Sequence, residues 1–154
     1  MTARSLILLS DKTISSVQRS LNALLRDAQL SWSVQDAGFD SWLRETMNPD
    51  SAARNDRSAA LGYLLSPRIL DLPGDGSTQL DAVLEVLERR ASGNTVLFSN
   101  LFADPLRILP VARHADMLRA VSEINNRLYT FSQRHSWFHV VDHCASSYRR
   151  PLWP

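Results

Sequence analysis

Residues 6–11, which read Leu-Ile-Leu-Leu-Ser-Asp, decide the fold class. Four aliphatic residues that end in a polar pair are typical of a buried strand whose carboxyl end reaches the protein surface. The residues that follow place apolar side chains three and four positions apart, which predicts an amphipathic helix over residues 13–28. Thr13 or Ser10 would cap that helix. The chain therefore opens with a strand and a helix of the kind that build parallel sheets.

The same alternation continues to the end of the chain. Strands are predicted at residues 30–35, 68–72, 95–98 and 137–141, and helices at 39–47, 80–90 and 113–134. The polar segment 51–58 is interpreted as a loop or a frayed helix. Alternation at this spacing predicts an α/β fold, a three-layer α/β/α sandwich around a five-stranded parallel sheet in the flavodoxin-like order 2-1-3-4-5.

The composition is that of one ordinary globular domain. The chain has 154 residues, of which 44% are hydrophobic and 21% charged, and its net charge is +1. This balance predicts no nucleic-acid partner and no membrane surface, and the longest aliphatic run is far too short to span a membrane. Cys144 is the single cysteine, which excludes an internal disulfide and a cysteine-based zinc site. We expect a cytoplasmic protein in which residues 1–147 form the domain and residues 148–154 a tail or interdomain linker.

Polar residues follow the predicted strands at their carboxyl ends, where open α/β sheets bind ligands. They are Ser10-Asp11, Asp36, Asp71, Ser99-Asn100 and Asp142-His143. Ser10, Asp142 and His143 could form a nucleophile and its base, and Asn100 could donate to an oxyanion. The alternative is that Ser10 is a helix cap, the ordinary role of a serine at such a junction. Adjacent Asp142 and His143 also tend to point in different directions, which argues against a working triad.

No metal or nucleotide site is predicted. Asp11 and Asp71 could converge on Mg²⁺, but the chain lacks the acidic pair and the lysine of a response-regulator receiver. The residues at Asp11 also lack the Asp-x-Asp-x-Thr spacing of a haloacid-dehalogenase phosphatase. Gly74 and Gly76 indicate a turn rather than a phosphate loop. We therefore expect no resident cofactor.

Several short motifs resemble those of FkbH-like proteins. Residues 8–13 resemble the family's opening "LLSNFT", residues 39–51 its helix leading to a "DPxS" turn, and residues 66–70 the place of its "PDVV" strand. Residues 126–128 and 140–142 resemble its "N-x-x-L … V-V-D" ending. The resemblance implies an SGNH-hydrolase-like amino-terminal domain that usually precedes a haloacid-dehalogenase-type domain. Relatives of that second domain load a glyceryl unit onto an acyl carrier protein in polyketide pathways.

The resemblance assigns residue roles by position. Ser10 stands for the SGNH nucleophile, Asn100 for an oxyanion donor, and Asp142 with His143 for the family's last block. That block normally separates Asp and His by two residues, and the usual Gly-Asp-Ser is Leu-Ser-Asp at residues 9–11. Both departures argue against hydrolysis.

Two functions are consistent with these residues. The first is an accessory module of polyketide or specialised-metabolite biosynthesis that docks an acyl carrier protein or an adjacent domain during acyl or glyceryl loading. The second is an active SGNH-type acyltransferase or esterase that uses Ser10 on a thioester or ester. The incomplete catalytic set favours the docking function.

Arginine makes up 16 of the 17 basic residues, and this excess could serve the docking function. Arg54, Arg57, Arg149 and Arg150 could meet the acidic helix of a carrier protein and the phosphate of its phosphopantetheine-linked substrate. For any one of them, an ordinary solvated side chain is the more common explanation.

Overall fold

The computed structural model describes residues 4–71, 76–90, 94–102 and 111–142. Its elements are, in chain order, β1 (Arg4–Ser10), α1 (Ser15–Asp27), β2 (Trp32–Asp36), α2 (Ser41–Met47), α3 (Ala52–Asn55), β3 (Ala60–Leu64), a 3-10 helix (Pro67–Asp71), α4 (Gly76–Arg90), β4 (Val96–Ser99), α5 (Val111–Arg134) and β5 (Phe138–Val141). The five strands form one all-parallel sheet in the order β2-β1-β3-β4-β5. The predicted fold class and strand order are confirmed.

The helices cover the two faces of the sheet unequally. α2, α4 and α5 pack on one face over a large core, where the fully buried rings of Tyr63 and Phe98 stack with their centroids 4.8 Å apart. α1 covers the other face over a smaller core formed by Leu8, Ile14 and Val34. β1 and β3 are buried on both faces because they lie inside the sheet, as central parallel strands require.

The prediction of a strand at residues 68–72 is wrong. The third strand is Ala60–Leu64, and residues 67–71 form a 3-10 helix in which Ile69 is fully buried. Pro67 has no N–H to donate and fixes its φ, so the chain leaves the sheet before this second apolar segment. Consequently Asp71 does not follow a strand, and the residues after β3 are Leu65 and Ser66.

The start of α1 also differs from the sequence prediction. Its N-cap residue is Ile14, and no side chain caps the helix, so the prediction that Thr13 or Ser10 would do so is wrong. Ile14 is buried in the smaller core, and this burial fixes the entry into α1. By contrast, Ser51 caps α3 by accepting a hydrogen bond from the N–H of Arg54 at 3.1 Å.

Some sequence predictions fall outside the described residues. His143, Cys144, Arg149, Arg150 and the boundary at residue 147 are among them. Within the described ranges, no helix combines the length and the apolar character needed to cross a bilayer.

We expect Gly76→Ala to destabilise the fold more than Gly62→Ala does. A Cβ at position 76 would lie 2.0 Å from the carbonyl oxygen of Ile69, a backbone atom of the 3-10 helix. Forced overpacking of this kind costs about 1–3 kcal/mol or more. At position 62 the nearest atom is Cδ2 of Leu8 at 2.9 Å, the end of a flexible side chain, so a loss below about 1 kcal/mol is expected. Urea unfolding compares the two free energies, and equal losses would contradict the expected order.

Stability is expected to fall between pH 10 and pH 12 because of Tyr63. Burial raises the pKa of this phenol to about 12 in the folded protein, while its hydrogen bond with Thr46 acts in the opposite direction. An exposed tyrosine in the unfolded chain ionises near pH 10. Tyr63 therefore contributes its full stability below pH 10 and destabilises the fold by about 2–3 kcal/mol at pH 12.

Absorbance titration of the phenols together with unfolding at each pH measures this effect. Tyr63→Phe is the control, and it should lack both the late titration step and the associated part of the stability loss. A native protein in which all the tyrosines titrate near pH 10 would contradict the expectation.

Candidate functional site

Ser10 is the last residue of β1, and its polar atoms bond to protein backbone and to a second serine. Its N–H donates to Oγ of Ser41 at 3.2 Å. Its hydroxyl donates to the carbonyl of Leu64 at 2.7 Å and accepts from the N–H of Lys12 at 3.2 Å. The side chain is fully buried. The predicted nucleophile is thus a hydroxyl that ties the end of β1 to the end of β3.

Asp11 makes the second link between the same two strand ends. Its Oδ1 accepts from the N–H of Ser66 at 3.1 Å, and its Oδ2 accepts from the hydroxyl of Ser66. Asp11 is only 4% exposed. Oγ of Ser66 also accepts from the N–H of Arg68 at 3.3 Å. The sequence analysis missed Ser66 because it placed the third strand too late; the apolar run that ends just before Ser66 and Pro67 was the available signal.

The structure joins Asn100 and Asp142. The side-chain amide of Asn100 donates to Oδ1 of Asp142 at 2.9 Å, and the backbone N–H of Asn100 donates to the carbonyl of Val141 at 3.1 Å. Oγ of neighbouring Ser99 accepts from the N–H of Leu65 at 3.1 Å. The Asn100 contacts connect the ends of β4 and β5 and bring two of the predicted site residues together, and the Ser99 contact connects the ends of β4 and β3. His143 lies outside the described residues.

Asn125 of α5 holds the chain that leaves β4. Its Oδ1 accepts from the N–H of Leu101 at 2.8 Å, and its Nδ2 donates to the carbonyl of Leu101 at 2.9 Å. This pair of bonds satisfies both backbone groups of a buried residue beyond the end of a strand. Asn125 was not predicted from the sequence, because a helical pattern does not distinguish an asparagine that bonds to a distant backbone from one that is exposed to solvent.

A cavity of about 330 Å³ opens at the carboxyl ends of these strands, and we call it the carboxyl-edge cavity. Its wall is largely apolar and includes Ile14, Val17, Leu64 and Phe102. Lys12, Ser66 and Asn100 contribute polar groups to the same cavity. Ser10 does not line it. Small-ligand sites in α/β sheets have this position and this mixture of apolar wall and few polar groups.

The acidic side chains described at this edge form hydrogen bonds with neighbouring side chains. Among residues 4–71, 76–90, 94–102 and 111–142, no group of three or more His, Cys, Asp and Glu side chains is arranged to hold a metal ion. The carboxylate of Asp11 is instead occupied by Ser66, and that of Asp142 bonds to Asn100.

Arg54 and Arg57 lie just before β3, at the amino-terminal edge of the sheet. Arg54 donates to the carbonyl of Met47 at 3.2 Å, and Arg57 is exposed. Arg90, at the end of α4, belongs to the same cluster. Burial lowers the pKa of Arg90 below its usual range, and the positive charges of Arg57 and Arg54 lower it further. We call these three residues the amino-edge arginines.

No protein-family model matches the sequence, and no curated protein is significantly similar to it. Solved structures share the fold, among them the following two. The N-terminal part of the protein BF1531 from Bacteroides fragilis, containing a phosphatase domain complexed with Mg, matches with a TM-score of 0.74 at 14% identity over 94% of this chain. TesA matches with a TM-score of 0.56 at 15% identity, over 85% of this chain and 74% of TesA.

These matches show the fold alone, which is an SGNH-hydrolase-like α/β fold with a five-stranded parallel sheet. The SGNH-like domain that the resemblance implied is thereby confirmed at the level of fold. This chain spans 42% of the length of the BF1531 structure.

Asn125→Ala is expected to destabilise the protein by about 1–3 kcal/mol, because it leaves two backbone groups of Leu101 unsatisfied. Asn126→Ala is the matched control on the same helix, where the side chain is exposed, and should cost less than about 0.5 kcal/mol. Urea unfolding of the two variants measures the difference. If both variants were as stable as the wild type, the two bonds to Leu101 would contribute nothing to the fold.

Proposed function

We propose that the chain is an SGNH-like accessory module that binds a short acyl unit and serves an acyl carrier protein or an adjacent biosynthetic domain. The observation that carries this proposal is the carboxyl-edge cavity. Its apolar wall suits a short hydrocarbon chain, and Lys12 supplies a positive charge beside it. Its volume of about 330 Å³ lies at the small end of ligand sites, which favours a short acyl group over a long lipid.

The contacts of Ser10 support binding rather than hydrolysis by that residue. A nucleophilic serine needs a base within hydrogen-bond reach and a path to the substrate. The Ser10 hydroxyl donates to a backbone carbonyl and lies outside the lining of the cavity. Attack by Ser10 would require it to break its bond with Leu64 and to turn toward the ligand. The alternative function, an esterase or acyltransferase that uses Ser10, is therefore the less favoured one.

The biosynthetic context comes from two likenesses. The motifs resemble those of FkbH-like proteins, in which an SGNH-like domain precedes a haloacid-dehalogenase-type domain. The fold also matches the N-terminal part of BF1531, whose structure contains a phosphatase domain. Both support an SGNH-like module that works beside a second domain of phosphatase type.

The amino-edge arginines are the proposed contact for the acidic helix of a carrier protein. Arg54 and Arg57 precede the start of β3 and Arg90 precedes β4, whereas the cavity lies after the end of β3. The five residues of β3 separate the two edges by about 16 Å. Docking and ligand binding would therefore use separate surfaces. Arg149 and Arg150 stay proposed contacts of the same kind.

Calorimetric titration with short-chain acyl thioesters of pantetheine tests the ligand. We expect binding to the wild type and a loss of about tenfold or more in affinity for Val17→Glu, because this change puts a carboxylate on the apolar wall. Leu24→Glu is the matched control. It lies on the same helix and is 63% exposed, and it does not line the cavity.

Product analysis of the same mixtures separates the two functions. Release of free acid that disappears in Ser10→Ala would establish the alternative enzyme. Absence of binding by the wild type, or equal losses in Val17→Glu and Leu24→Glu, would contradict the proposed binding site.

A further inference from the structure

Ser66 lines the carboxyl-edge cavity, and its hydroxyl bonds to a carboxylate. It lines the cavity and is partly exposed, whereas Ser10 is fully buried and does not line it. The hydroxyl of Ser66 donates to Oδ2 of Asp11. A hydroxyl in this position can meet a ligand while its proton already points to a base.

Asp11 is held in the orientation that a general base needs. The N–H of Ser66 donates to Oδ1 at 3.1 Å, which leaves Oδ2 directed at the Ser66 hydroxyl. Asp11 is buried, with 4% of the residue exposed. A carboxylate within hydrogen-bond reach of a nucleophilic hydroxyl can take its proton as the nucleophile attacks.

The backbone beside Ser66 can stabilise the charge that develops on its oxygen. The N–H of Arg68 donates to Oγ at 3.3 Å. As the proton moves to Asp11, negative charge grows on Oγ, and a fixed N–H dipole stabilises it. The same contacts also link the ends of β1 and β3.

We infer that Ser66 and Asp11 form a nucleophile and base that take an acyl group from a thioester bound in the carboxyl-edge cavity. Oγ of Ser66 bonds to the carbonyl carbon while its proton passes to Oδ2 of Asp11. The carbon–sulfur bond then breaks, and the thiolate receives the proton from Asp11. The products are an ester on Ser66 and a free thiol. This inference rests on the proposed function for the class of ligand.

The other groups of the cavity narrow the substrate class. Ile14, Val17, Leu64 and Phe102 offer apolar surface to the acyl chain, and a cavity of about 330 Å³ suits a short one. Lys12 lines the same cavity with an exposed side chain, and its ammonium attracts an anionic group of the donor. The substrate class is therefore a short-chain acyl thioester that carries a negative charge.

Intact-protein mass spectrometry tests the inference after incubation with a phosphorylated pantetheine thioester of a short acyl group. We expect the wild type to gain the mass of one acyl group, and peptide mapping to place it on Ser66. Ser66→Ala should abolish the label, and Asp11→Asn should slow its formation on the order of 100-fold or more. Ser16→Ala, an exposed serine of α1 outside the cavity, is the matched control and should label as the wild type does.

Ser66→Cys keeps the test decisive if Ser66→Ala unfolds. A thiol at this position is a stronger nucleophile that preserves the size of the side chain, so the variant should be acylated at residue 66. Label on a different residue, label that survives Ser66→Ala, or no label on the folded wild type would overturn the inference.

Calorimetric titration of the wild type with the same phosphorylated thioester separates the two failures. If the thioester binds in the cavity and no ester forms on Ser66, the inference is wrong while the binding function stands. If the wild type neither binds the thioester nor is labelled by it, both are wrong.

Discussion

The parallel pairing of β1 with β3 is the contact on which the rest of this structure depends. Its register places Ser10 opposite Leu64, so the two strands end together. Only this alignment lets the Ser10 hydroxyl reach the Leu64 carbonyl and the Asp11 carboxylate reach Ser66. Gly62 lets β3 pack closely beside β1, because a Cβ at this position would lie 2.9 Å from the side chain of Leu8. The side-chain contacts at the carboxyl edge thus depend on how β1 and β3 pair.

Much of the polar character at the ends of the strands stabilises the fold. Backbone groups beyond the last ladder bond need partners when they are buried, and Ser10, Ser99, Asn100 and Asn125 provide them. A serine at the end of β1 in an SGNH-like fold is therefore compatible with a structural role. The polar residues that line the cavity include Lys12 and Ser66, whereas Ser10 is buried outside it.

The two ends of the sheet have different properties. The carboxyl edge holds an apolar cavity, and the amino edge holds three arginines, of which Arg54 and Arg57 lie close enough to Arg90 for their charges to lower its pKa. A ligand in the cavity and a protein partner at the arginines would not compete for the same surface. This separation suits a module that holds a small group while a partner protein is bound, and it gives the accessory role a physical basis.

The sequence by itself determined the features that depend on local pattern. The aliphatic run of β1 and the apolar spacing of α1 and α5 predicted these elements. Their alternation predicted a parallel sheet, and five strands in a chain of this length fit the flavodoxin-like strand order. It also placed Ser10, Asn100 and Asp142 at the correct edge. Only the tertiary structure decided which segment is the third strand, Ala60–Leu64 or residues 68–72. Both segments are short and apolar, and only the first is buried between two neighbouring strands. The tertiary structure also decided that Asp11 bonds to Ser66, 55 residues away, because the spacing of residues along a chain does not encode which side chains meet across a sheet.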